Sequence, residues 1–223
     1  MLYKFTLADG TTRNGYHYPL PHDGKPGEWT PKITKLRMCD TGYHLCTDPF
    51  NFLEYGPRMW HAEGRGKHTN PDDTGQTVWS SVRLIREVRM TAVDLWLLAC
   101  DYGEHVLHGF ESVYPRDERP RRAIATVRRY AQGTATLTEL RAATDAAHTA
   151  YLTSSNTVAT TAAYVSYNIV SYAAYAAHSY NSANDAADAA VSAIIVSNHG
   201  NTAELRWRRK LFRTRLAEWE ARS

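Results

Sequence analysis

Thiols and imidazoles come first, because they can hold a metal ion or serve as nucleophile and base. Cys39, His44 and Cys46 lie close together in the chain, with His61 further on. Thiolate and imidazole suit zinc, so these four could form a Cys2His2 set. The Cys-x4-His-x-Cys spacing is not that of a zinc knuckle, however, and neighbours along a strand alternate between its faces. Cysteine is also among the residue types most often buried. The expectation is therefore core packing, with no metal at Cys39, His44, Cys46 and His61 and no cofactor elsewhere. Cys100 falls on the apolar stripe of a helix, where a free thiol behaves as a small hydrophobe. Gly64-Arg65-Gly66-Lys67 lacks the strand–loop–helix setting of a phosphate loop.

The second constellation is aromatic. Tyr164, Tyr167, Asn168, Ser171, Tyr175 and His178 recur at helical spacing on one side of a helix. They sit within residues 142–203, which hold no Lys or Arg and only Asp145, Asp185 and Asp188 as charges. Surface helices normally turn charge outward, so this face is either enclosed or a contact surface; both readings stay open. Tyrosine suits interfaces, having an apolar body and a polar tip. Tyr164, Tyr167, Asn168, Tyr175 and His178 are the candidate binding residues. Arg121 and Arg128 share a helix face, as do Arg122 and Arg129. Glu118, Glu204, Glu218 and Glu220 are interspersed among the basic residues, and no glycine–aromatic motif accompanies them. A solvated face is expected, and nucleic acid is not the expected partner.

The elements that must position these groups change character along the chain. Tyr3, Phe5 and Leu7 alternate with Lys4 and Thr6, and Asp9-Gly10 supplies a turn. Residues 15–32 are a Pro- and Gly-rich loop. Strands are expected over Ile33–Cys39, Met59–Glu63 and Val78–Glu87, with a short helix capped by Asp48, begun by Pro49 and stopped at Gly56-Pro57. From Thr91 the apolar period lengthens to that of a helix. Val93, Trp96, Leu97, Cys100, Leu107 and Phe110 form one stripe, interrupted at Gly103. Asp117 caps the next helix, with Ala123, Ile124, Val127, Tyr130 and Ala131 inward and Gly133 at its end. Thr136 or Thr138 opens another. Turns are expected at Thr153–Asn156 and Asn181–Asn184, and a final helix begins at Thr202 with Leu205, Leu211, Phe212, Leu216 and Trp219 as its buried edge. The fold class is α+β: a small β-rich module over residues 1–90, then an all-helical antiparallel bundle over 91–223.

A chain of 223 residues can bury a real core. Its net charge of +3 is too small to imply a polyanionic partner. Three cysteines are an odd number and no disulfide framework. The first residues read as a strand and turn rather than a secretion signal, and the most apolar run, Ala186 to Val196, is too short for a membrane span. A cytoplasmic, membrane-free protein is expected.

Three stretches of the chain carry a family resemblance. Gly42-Tyr43-His44-Leu45-Cys46, followed by Asp48-Pro49-Phe50 and Glu54-Tyr55, resembles a module of phage-encoded proteins in which a Gly-aromatic-His-x-Cys motif precedes a short helix and strand. Asp117 to Ile124 leading into Ala-rich helices, and Glu204 to Arg208 running on to Leu216, resemble the helical domain of immunity proteins. The resemblance implies a phage accessory protein in the host cytoplasm. It would act by binding a host or phage protein, as in counter-defence, or by self-association into a homo-oligomer. A looser similarity links Tyr3, Tyr43-His44 and the helix ending in Glu54-Tyr55 to the opening of ADP-ribosyltransferase-like folds, where a His and a Tyr hold a nicotinamide dinucleotide. That similarity implies a nucleotide-handling enzyme with Tyr3, Tyr43 and His44 as catalytic candidates and Glu63 or Glu87 as the acid. A third reading is a nucleotide sponge, with Tyr and Asn of the uncharged helices lining the pocket. A binder rather than an enzyme is the expectation.

Overall fold

The computed structural model describes residues 1–177 and 202–223, with side chains from 205 onward in the second stretch. Its strands are β1 Leu2–Thr6, β2 Tyr43–Cys46, β3 Arg58–His68 and β4 Gln76–Val88, with a 3₁₀ helix at Pro49–Tyr55. The helices among the described residues are α1 Ala92–Glu111, α2 Arg119–Ala131, α3 Leu137–Thr153, α4 Thr157–Ala176 and α5 Thr202–Ala221. The class is α+β. Two compact units form, one of Met1–Met90 with Leu216–Ser223, the other of Thr91–Arg215.

In the first unit the strands close into a small antiparallel barrel in the order β1-β2-β4-β3. Residues directly opposite across antiparallel strands share a face. Leu2 therefore faces as Ala62 does, and Lys4 as Trp60 does. That face looks onto the apolar cluster of Tyr18, Tyr43, Leu45, Trp60, Ala62, Val82 and Leu84. β1 joins β2 only through the pair Tyr3 and Cys46, whereas it pairs with β3 along its whole length. The barrel is thus least tightly laced at the β1–β2 seam. β3 and β4 run further than the sequence suggested, with register shifts between His61 and Ala62 and between Arg65 and His68. Gly64 lies within the longer strand because the Trp79 ring crosses its backbone: a Cβ there would stand 2.1 Å from that ring.

The strand expected over Ile33–Cys39 does not form. The loop instead follows the edge of β4 through single bonds, from the N–H groups of Gly27, Thr30 and Ile33 to Leu84, Val82 and Ser80. Donors three residues apart do not make a ladder, and Pro31 has no N–H to give. Arg37 and Thr41 then close a tight bridge around Cys39, which takes a φ of 58°. The 3₁₀ helix starts as the capping signal implies, with the Asp48 side chain accepting from the Phe50 N–H. The chain's last residues complete this unit: Leu216 and Trp219 are buried, and the Tyr3 hydroxyl donates to Glu220 at 2.8 Å.

In the second unit α1 packs on α2 and α4, α2 also on α3 and α4, and α3 on α4. Thr91 with Asp94 and Thr136 with Glu139 form capping boxes, and Asn156 caps α4. α1 runs through Gly103 unbroken. A Cβ at that position would lie 2.5 Å from Ile169 Cδ1 and 3.0 Å from Ile124 Cδ1, so the glycine admits both neighbouring helices. Of the expected α1 stripe, Trp96, Cys100, Leu107 and Phe110 are buried, whereas Leu97 is half-buried and Val93 exposed; Leu95, Leu98, Ala99 and Tyr102 are buried beside them. Glu118 occupies the cap position of α2 without a side-chain cap bond. Asp117, one residue earlier, accepts the Arg119 N–H at 3.1 Å in keeping with the expected cap, and also clamps the Arg119 guanidinium at 2.8 and 2.5 Å. Tyr130 and Ala131 are half-buried, and Thr126 takes the inward place, its hydroxyl donating to the Arg122 carbonyl. On α5, Phe212 is buried as expected, whereas Leu205 is exposed and Leu211 half-buried. Arg208 is wholly buried, which its basic neighbourhood in the sequence gave no reason to expect. The expected turn at Asn181–Asn184 lies outside the described residues.

Candidate functional site

α4 is built for close approach on one side. Ala159, Ala162, Ala163, Val165, Ile169 and Ala173 are buried, and small side chains let helix backbones come together. Tyr164 and Tyr167 flank this face half-buried, and α3 supplies them with ring partners. His148 stacks on Tyr167 at 4.7 Å between centroids, and Tyr151 meets Tyr164 at 5.2 Å and lies parallel to Tyr167 at 6.5 Å. The four rings form one row along the α3–α4 pair. His148 and Tyr151 escaped the sequence reading; their signal was a helical spacing of three within the same uncharged stretch.

The other binding candidates divide. Asn168 is turned inward, its amide donating to the Tyr164 carbonyl at 3.0 Å. Tyr175 is 62% exposed. His178 lies outside the described residues. Beside the α3–α4 turn, Leu152 and Val158 are also largely exposed. The turn itself is fixed by Tyr114, whose hydroxyl accepts the Ser155 N–H at 3.0 Å.

The arginines of α2 are already engaged. Arg121 pairs with Glu111, Arg122 with Glu118, Arg129 with Glu139, and Arg128 with both Asp101 and Glu104. Hydrogen bonding to Arg121 holds the Glu111 carboxyl below its ordinary range. A phosphate backbone would have to displace these carboxylates, so the face is a solvated ion-pair network.

Tyr3, Tyr43 and His44 all border one cleft of about 580 Å³ over the β1–β2 seam. Each has its polar atom committed within the protein. Tyr3 donates to Glu220, Tyr43 donates to the Pro31 carbonyl at 2.9 Å, and His44 Nε2 accepts the Cys39 N–H at 3.0 Å. Burial, and then the charge of Lys4, keep the His44 pKa below its ordinary value. The two candidate acids are held away by ion pairs, Glu63 with Arg83 and Glu87 with Arg58. At the floor of the cleft Lys4 donates to the His44 carbonyl at 3.1 Å. Burial pushes its pKa down to about 8.

The four metal candidates go separate ways. The Cys39 thiol faces Gln76 Oε1 and the Cys46 thiol the Tyr3 carbonyl, both at 3.7 Å. Burial pushes the Cys46 thiol up to about 12. His61 is buried beside Glu220, 3.3 Å from it. Among the described residues, no group of three or more His, Cys, Asp or Glu side chains is placed to hold a metal ion.

A family model described as "Imm-5 like putative immunity protein" matches residues 85–215, which take in all of α1 to α4 and most of α5. No curated protein and no solved structure matches the chain.

Proposed function

The chain belongs to the Imm-5 like putative immunity protein family, and on that premise we propose that it acts by binding a protein partner through the uncharged α3–α4 surface. The observation that carries the proposal is the row formed by His148, Tyr151, Tyr164 and Tyr167, beside the exposed Tyr175. Rings held against one another lose little freedom on binding, and tyrosine is enriched where interface energy concentrates. Asp145 is the one charged residue in 142–177, so little desolvation of charge opposes contact. A protein fits better than a nucleic acid, because the basic side chains of α2 are held by carboxylates. The finer form of this reading is a phage-encoded accessory protein whose partner is a host or phage protein.

In-cell photocrosslinking tests the proposal. A photoreactive phenylalanine is placed at Tyr175, at Tyr167 and, as a control, at the exposed Ala125 of α2. Adducts of one defined mass at the first two positions, and none at Ala125, are expected. Peptide mapping of the adduct tells a second copy of this chain from another protein. Equal yields at all three positions, or none at any, would reject the surface.

A further inference from the structure

The β1–β2 seam holds a group that the helical surface does not involve. Lys4 stands opposite Trp60 on the strand face that looks onto the apolar cluster. Its ammonium has one hydrogen bond, to the His44 carbonyl, and lies 5.2 Å from the centre of the Tyr18 ring. No carboxylate among the described residues pairs with it. An ammonium has three donors, so two are uncommitted. A cation on an apolar face without a counter-charge is costly and is usually answered by one. The cleft of about 580 Å³ opens directly upon it, a size common for small-molecule sites. Tyr16, Tyr18 and Tyr43 wall the cleft, meeting edge to face at centroid distances of 4.9, 5.5 and 6.2 Å.

We infer that this cleft binds a small aromatic carboxylate, with the carboxylate on Lys4 and the ring among Tyr16, Tyr18 and Tyr43. The charge count sets the class. One inward cation answers one negative charge; His44, whose Nε2 accepts the Cys39 N–H, has its pKa lowered by burial, and the exposed Asp40 that also lines the cleft is paired with Arg37. Arg13, at the exposed edge, is occupied by the Glu54 carbonyl and the Tyr55 ring. A dianionic phosphate would leave half its charge unanswered. The walls set the rest: tyrosine rings prefer an aromatic guest in offset or edge contact.

Calorimetric titration of the full chain with 2-naphthoate, 2-naphthamide and cyclohexanecarboxylate tests this. Saturable binding of 2-naphthoate is expected, with the neutral amide and the non-aromatic acid each weaker by about tenfold or more, the scale of one charge-assisted bond. Lys4→Met should reduce 2-naphthoate to the affinity of the amide while leaving the amide unchanged. The acid-to-amide comparison on the unaltered protein needs no variant to fold. No saturable 2-naphthoate binding up to about 1 mM, equal affinity for acid and amide, or undiminished binding to Lys4→Met would overturn the inference.

Discussion

Replacing Lys4 by methionine should make the protein more stable at neutral pH. Folding takes the Lys4 pKa from an ordinary 10.5 to about 8, because burial disfavours its charged form. Each pKa unit corresponds to about 1.4 kcal/mol, which puts the cost of keeping Lys4 charged in the folded state at roughly 3 kcal/mol. The bond to the His44 carbonyl and the contact with Tyr18 are lost in the variant, which offsets part of the gain. A stabilisation of about 1–3 kcal/mol is the expected range, since methionine matches the lysine stem in length and suits irregular apolar space. The pH dependence carries the sign. Between about 8 and 10.5 the unfolded chain holds a proton on Lys4 that the folded chain has released, so the penalty that Lys4 imposes on wild-type stability shrinks as pH rises. The advantage of Lys4→Met is therefore full below pH 8 and shrinks above it. Urea unfolding of both proteins at pH 7 and pH 9.5, compared as a difference, isolates Lys4 together with the charge coupling between it and the Cys46 thiol. A variant less stable than wild type at pH 7, or an advantage unchanged at pH 9.5, would refute the reasoning.

Three further outcomes follow from the helical unit. Gly103→Ala should cost about 1–2 kcal/mol in thermal or urea unfolding, because its Cβ crowds Ile169 Cδ1 at 2.5 Å by more than the gain in helix propensity offsets; a neutral or stabilised variant would show that Ile169 turns aside freely. Thr136→Ala removes the capping box with Glu139 and should cost about 1 kcal/mol by the same measurement, with Asn156→Ala behaving alike at α4. Tyr175→Glu should leave the far-ultraviolet circular dichroism and the melting temperature within error, whereas Val165→Glu, at a wholly buried site, should unfold the helical unit; similar melting of both would mean the two faces of α4 are not distinct.

Much of the fold was legible because it rests on local chemistry. The lengthening of the apolar period at Thr91, the Asp48-Pro49 start of the 3₁₀ helix, the opening of α3 at Thr136 and the turn at Thr153–Asn156 are each written in a few consecutive residues. β1 shows where such reading stops. Its alternation suggests a half-buried strand with Lys4 outward, yet Tyr3 and Phe5 are buried as well, and Lys4 faces the apolar cluster. Tyr3 is covered with the help of Glu220, 217 residues away, and no local pattern encodes that. Helical spacing places Trp96, Cys100, Leu107 and Phe110 on the buried side of α1 correctly but puts Val93 and Leu97 there too, while Leu98, Ala99 and Tyr102 are buried by the helices that pack on both sides of Gly103. For the proposed contact face, helical spacing singled out Tyr164 and Tyr167 but could not sort Asn168, which bonds its own helix, from Tyr175, which meets solvent. The partners that order these tyrosines come from α3, so the ring row emerges only when two helices pack.

The most direct test of binding through α3–α4 is the dissociation constant of the partner, once identified by crosslinking, for wild type, Tyr175→Glu and the control Ala125→Glu. Loss of about tenfold or more in affinity for Tyr175→Glu, with Ala125→Glu unchanged and both variants folded, is the predicted result. Equal affinity for wild type and Tyr175→Glu, or a loss confined to Ala125→Glu, would contradict it.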